Sequence, residues 1–201
     1  MKKFLLPFII FIGCSQKESE KLPFLGNTIY NENDTIYHTI QDFELIDQDS
    51  MTVTNETFSD KVYVADFFFT SCPTICPIMK GQMLRVHERF KENDQVGILS
   101  HTIDPSYDTV ALLKDYTERL AVDTKQWKFV TGDEDYIYDL AEKSYISMAN
   151  ADSDAPGGFV HSGAFLLVDK DRRLRGFYDG TVEEQVDVLM NDIDKLLKEY
   201  E

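Results

Sequence analysis

Apolar and polar positions along the chain mark out a regular series of elements. Phe43-Glu-Leu-Ile46, the polar Asp47-Gln-Asp-Ser50 and Met51-Thr-Val-Thr54 read as strand, turn and strand. Val62 to Thr70 is a nearly unbroken apolar and aromatic run, the pattern of a strand buried on both faces. Pro77 opens a helix in which Met79, Met83, Val86 and Phe90 recur at helical spacing. Val96 to Ile103 is a second buried strand, and Asp108 is placed to cap a helix carrying Val110, Leu113, Tyr116 and Leu120. Trp127 to Thr131 forms a third strand, and Asp133 to Tyr145 a helix. Phe165 to Asp169 and Leu174 to Tyr178 form a hairpin across Lys170-Asp-Arg-Arg173. Thr181-x-x-Glu184 predicts a capping box for a terminal helix marked by Val182, Val186, Leu189, Ile193 and Leu196.

Strands that alternate with helices need a central sheet containing parallel pairs and covered on both faces. The order here is a hairpin, then β-α-β-α-β-α, then a hairpin and a helix. That order predicts an α/β fold, a thioredoxin-like three-layer sandwich with an N-terminal β-hairpin extension.

The start of the chain follows a different logic. Met1-Lys-Lys3 is basic, Phe4 to Ile12 is apolar apart from Pro7, and Gly13-Cys14 leads into the polar stretch from Ser15 to Lys21. This is the layout of an export signal. Because the Cys directly follows a small residue, it resembles a bacterial lipobox, with Phe11 where Leu is usual. Residues 1–13 are thus expected to be the signal peptide of a lipoprotein, with Cys14 lipidated. Residues 14–38 read as a flexible tether and residues 39–201 as the folded domain, held in the bacterial cell envelope outside the cytoplasm.

Charge narrows the partners. With 20 Lys+Arg against 36 Asp+Glu, the formal net charge is −16, which excludes phosphate-driven nucleic-acid binding and docking by charge on anionic lipid. With Cys14 assigned to the lipid, the exported domain keeps two of the chain's three cysteines, Cys72 and Cys76, in a compartment where disulfides form.

Both lie in Phe67-Phe-Phe-Thr-Ser-Cys-Pro-Thr-Ile-Cys-Pro77. A proline after each cysteine disfavours helical geometry at the cysteine itself, so both thiols are expected in a stiff strand-to-helix loop, with Cys76 near the N-cap. Open backbone N–H groups and the helix dipole there favour thiolates. A structural disulfide across so short a loop would stabilise little. Structural zinc needs four donors, more than this short supply of Cys and His completes. The spacing leaves two uses level: a redox pair, and a soft-metal site in which Cu(I) accepts two thiolates and one imidazole.

His161 favours the metal. It follows the irregular Asn150 to Gly158 and precedes the strand near Ala164, the position where thioredoxin-like oxidoreductases carry a proline opposite the cysteine loop. Four motifs in order then carry a resemblance over most of Gln41 to Glu201. They are Val64-Ala-Asp-Phe-Phe-Phe-Thr-Ser-Cys-Pro-Thr-Ile-Cys-Pro77, Thr102-Ile-Asp-Pro-Ser-Tyr-Asp-Thr109, Trp127-Lys-Phe-Val-Thr-Gly132 and Val160-His-Ser162. Together they resemble the Sco/SenC family of copper proteins. The resemblance implies one copper, Cu(I) or also Cu(II), held by Cys72, Cys76 and His161. It further implies delivery to the binuclear copper centre of cytochrome c oxidase subunit II, by a metallochaperone and not an enzyme. The alternative is a thiol–disulfide reductase in which Cys72 and Cys76 keep the acceptor's cysteines reduced; both roles require a thiol reductant for the pair. Many members carry an acid before the histidine, where this chain has Val160. Asp104-Pro105 reads as a turn, His101 as a reserve ligand, and Met79 and Met83 as core.

Overall fold

The computed structural model describes residues 21–31 and 34–201. The expected export signal and Cys14 lie outside the described residues. A seven-stranded mixed sheet forms the centre, built from β3 (Glu44–Asp47), β4 (Thr52–Thr54), β5 (Val62–Phe68), β6 (Val96–Thr102), β7 (Trp127–Thr131), β10 (Ala164–Val168) and β11 (Leu174–Asp179). Its order is β11-β10-β5-β6-β7-β3-β4. β5, β6 and β7 run parallel, while the β10–β11 hairpin and the N-terminal β3–β4 hairpin extend opposite edges by antiparallel pairing.

Four helices cover the sheet: α1 (Cys76–Phe90), α2 (Val110–Leu120), α3 (Glu134–Lys143) and α4 (Glu183–Lys198). Two right-handed crossovers in one direction, β5-α1-β6-α2-β7, place α1 and α2 on the same face. Side-chain alternation agrees: Phe68, Trp127 and Phe129 point toward α1 and α2, while Phe67 and His101 meet Tyr145 beyond α3 on the other face. Every residue of β5 and β6 is buried, as the apolar runs require for a sheet covered on both sides.

The local signals for helix starts were partly displaced. Thr109, not Asp108, caps α2, its hydroxyl accepting from Leu112 N–H. The expected Thr181–Glu184 capping box does not form; the N-cap of α4 is Val182, and the Thr181 hydroxyl donates instead to Asp179. Cys76 occupies the first turn of α1 ahead of Pro77, so the helix begins one residue earlier than proline's steric effect suggested. Two hairpins escaped the pattern altogether: β1 (Ile29–Asn31) with β2 (Asp34–Ile36), and β8 (Ala149–Ala151) with β9 (Phe159–His161).

Leu22 to Leu25, within the stretch expected to be a tether, and Ile40 just after it lie against the domain. Leu22 is buried, Leu25 N–H donates to Leu174 O, and Ile40 N–H donates to Arg172 O. Buried Arg175 donates to the Leu22 and Pro23 carbonyls and pairs with Asp169 and Glu199, stitching this segment to β11 and α4.

Asp108 is fully buried and serves the cysteine loop. Its carboxylate accepts from Thr70 N–H (3.0 Å), from the Thr70 hydroxyl and from the Thr102 hydroxyl (2.5 Å). It therefore ties the exit of β5 to the exit of β6. Asp108→Ala would leave these donors without an acceptor and is expected to lower unfolding free energy by about 3 kcal/mol, with Asp108→Asn losing less. Urea denaturation reads this directly; an unchanged midpoint in Asp108→Ala would contradict the anchoring role.

Candidate metal centre

β5 ends at Phe68, and the loop that follows carries Cys72 to the start of α1, where Cys76 sits in the first turn. β9 brings His161 to the same end of the sheet. The three ligand atoms, two sulfurs and one imidazole nitrogen, all lie within 4.8 Å of one another. His161 Nε2 is 3.2 Å from Cys76 Sγ. On its other side, His161 Nδ1–H donates to the Ser162 carbonyl at 3.1 Å, which leaves the Nε2 lone pair facing the thiols.

The walls are apolar and hold this geometry. The Phe69 ring stands edge-on to the imidazole, at 5.8 Å between centroids and 84° between planes. Gly157, at φ +85°, lets the β8–β9 turn settle on the loop; a Cβ there would come within 2.9 Å of Phe69 and 3.1 Å of Pro73. A shallow pocket of about 160 Å³, lined by Phe69, Cys72, Ile75, Pro156, Phe159 and His161, opens over the ligands.

The two thiols are unequal, although the helix start was expected to favour thiolate at both. Burial works to raise Cys72, but the Cys76 thiol, the backbone of Thr74 and Cys76 and the Thr74 hydroxyl direct hydrogen bonds at its sulfur. These outweigh burial and hold Cys72 below the usual thiol range. Cys76 is buried more deeply, and that burial, with the neighbouring Cys72, pushes its thiol well up. Of the coupled pair, Cys72 is therefore the sulfur that ionises first. Burial lowers His161, and its bond to the Ser162 carbonyl opposes that only in part, so the imidazole is neutral and free to ligate at neutral pH.

The structure separates the other candidates from this centre. His101 is fully buried, stacked on Phe67, with Nδ1 at 3.3 Å from Asp66 O. Burial keeps it neutral, at about 4, and it is not one of the three clustered ligands. Met79 and Met83 are core residues. Asp104 closes a turn, accepting from Tyr107 N–H. His87 accepts from Asp123 N–H, and His38 bonds to the Ser144 carbonyl.

Sequence reading missed Asp66 and Lys80. Asp66 lies in the middle of β5, and Lys80 one turn after Cys76 on α1; their charges are 3.8 Å apart and both side chains are buried. The one signal was an acid inside an otherwise apolar strand.

The comparisons with known proteins agree with this geometry. The SCO1/SenC family model matches residues 31–198. A SCO1/SenC family lipoprotein from Bacillus anthracis superposes with a TM-score of 0.72 at 26% identity, covering 80% of this chain and 95% of that one. BsSco, described with a disulfide switch and as a member of the Sco family of cytochrome c oxidase assembly proteins, gives 0.70 at 27% identity over 79% and 93% of the two chains. At the level of fold alone, copper-bound ScoI of Arabidopsis thaliana gives 0.64 at 24% identity over 77% and 98%. The cysteine loop, the histidine strand and the sheet that joins them belong to a thioredoxin-like domain, and the chain is a member of the SCO1/SenC family.

Proposed function

We propose that this protein is a copper metallochaperone that carries one copper ion on Cys72, Cys76 and His161 and passes it to the binuclear copper centre of cytochrome c oxidase subunit II. The observation that carries the reading is the convergence of two sulfurs and an oriented imidazole nitrogen within 4.8 Å. Two thiolates and one neutral imidazole form a soft donor set suited to Cu(I), and the imidazole also accepts Cu(II). Three ligands leave the ion open on the side of the shallow pocket, so an acceptor thiol can enter as a chain ligand leaves. The membership of BsSco in a family of cytochrome c oxidase assembly proteins supports the acceptor. The lipobox at Cys14, together with the lipoprotein relative, supports an anchored domain outside the cytoplasm. No described helix is long and apolar enough to cross a membrane.

A second reading follows from the inequality of the thiols. In a thiol–disulfide reductase, the Cys72 thiolate attacks one sulfur of an acceptor disulfide and releases the other as a thiolate. Cys76, giving its proton to the acceptor thiolate already released, then attacks the Cys72 sulfur of the mixed disulfide, leaving the acceptor with one thiol and one thiolate and this chain with a Cys72–Cys76 disulfide. That oxidised pair has no thiolate for copper, so an external thiol reductant must restore it.

Competition against a Cu(I) chelator separates the readings. The reduced domain is expected to hold one copper, and His161→Ala to lose affinity by at least about 100-fold, since loss of a mere hydrogen-bond partner behind a ligand already costs about 10–100-fold. An unchanged affinity in His161→Ala would refute the three-ligand site. A pure reductase would hold copper poorly and keep its exchange rate in that variant.

Alkylation tests the thiols themselves. At neutral pH, limiting iodoacetamide is expected to modify Cys72 well before Cys76, as peptide mass mapping would record. Preferential labelling of Cys76 would overturn the assignment of the thiolate.

A further inference from the structure

Lys80 and Asp66 form a buried charge pair next to the cysteine loop. Lys80 is 5% exposed and Asp66 is fully buried. The Lys80 ammonium is enclosed by aromatic rings, 4.4 Å from the Phe68 centroid, 4.8 Å from Phe129 and 4.9 Å from Trp127. Asp66 Oδ1 is taken by the Ser100 hydroxyl, which in turn accepts from Trp127 Nε1–H at 2.9 Å. The 3.8 Å between Lys80 Nζ and Asp66 Oδ2 is too long for a hydrogen bond, and neither atom has a hydrogen-bond partner among the described residues. A lysine in an aromatic box is an expensive way to fill a core, because an apolar side chain of equal length would pack there without burying a charge.

We propose that Lys80 is the counter-charge of the metal centre and sets its preference for Cu(I) over Cu(II). The inference rests on the copper reading of Cys72, Cys76 and His161. Two thiolates, a neutral imidazole and Cu(I) sum to one net negative charge; with Cu(II) the sum is zero. A fixed positive charge nearby therefore favours the reduced ion, and a fixed negative charge opposes it. Lys80 follows Cys76 by four residues on α1, so both point from one helix face, and its charge bears on the Cys76 sulfur. Asp66 bears on His161, where Lys80 opposes it. Because Asp66 stands 3.8 Å away without a hydrogen bond, it offsets only part of the field of the ammonium. Its aromatic walls exclude water that would screen it.

Lys80→Met and Asp66→Asn test this by moving the site in opposite directions. Chelator competition for each ion gives the Cu(I) and Cu(II) affinities of the wild type and both variants. Lys80→Met is expected to lose at least about tenfold in Cu(I) affinity relative to Cu(II), the scale of one charge acting from within about 12 Å at an effective dielectric near 20. That ratio corresponds to a fall of about 59 mV in the one-electron copper potential. Asp66→Asn is expected to shift the ratio toward Cu(I). A second measurement needs no metal: equilibration of the dithiol with glutathione disulfide, in which two electrons and two protons leave the cysteines and two glutathione thiols form. Lys80→Met is expected to be oxidised more readily there, and Asp66→Asn less readily. A merely structural pair would shift both variants the same way, or leave both ratios unchanged, and either result overturns the proposal. If the wild type takes up no copper, the copper reading fails, and the glutathione equilibrium alone decides whether Lys80 charges the thiols. Thermal unfolding of each variant confirms that folded protein is compared; if Lys80→Met does not fold, the sign of the Asp66→Asn shift decides.

Discussion

The antiparallel pairing of β10 with β5 is the constraint on which the metal centre depends. Leu166 stands opposite Ala65 and Leu167 opposite Val64. Followed backwards, that register brings His161 level with Thr70, at the mouth of the cysteine loop. Residues 85 apart in the chain thus meet at one end of the sheet, and a slip of the strand by one residue would turn every side chain to the opposite face. The pairing is protected by burial: all of β5 and all of β10 lie inside the domain. Asp108 on one side and the Gly157 turn on the other then remove the remaining freedom of the loop.

Burial also explains the electrostatic character of the centre. Desolvation alone would raise both thiols and leave a poor metal site. Hydrogen bonds directed at Cys72 reverse that for one sulfur, while Cys76 keeps its proton until something displaces it. A soft cation is suited to displace it, since metal binding to thiols releases protons. The same inequality suits thiol exchange, in which one sulfur attacks and the other resolves. Carrier and reductase thus draw on one arrangement, and the oxidation state of the cysteines decides which chemistry is open.

Much of this was legible in the chain because it rests on local rules. The uninterrupted apolar runs identified β5 and β6, helical spacing identified α1, α2 and α4, and the Cys-Pro pairs placed both thiols between strand and helix. His161 could be named because the strand order put it across from that loop. What stayed hidden depends on tertiary context. The β8–β9 hairpin lacks a continuous apolar face and reads as polar loop, yet it presents the imidazole. Asp108 looks like a helix cap, and only the fold shows that Thr109 caps while the carboxylate turns inward to Thr70 and Thr102. Leu22 and Leu25 sit in a polar stretch whose docking on β11 depends on Arg175, far along the chain. Asp66 and Lys80 are close only because β5 and α1 pack face to face.

The most direct test of the central claim is X-ray absorption at the copper edge of the reduced protein loaded with one equivalent of Cu(I). The account predicts a three-coordinate ion with two sulfur scatterers and one imidazole, the imidazole signature vanishing in His161→Ala. A first shell of oxygen and nitrogen alone, or one with two sulfurs that is unaltered by loss of His161, would contradict it.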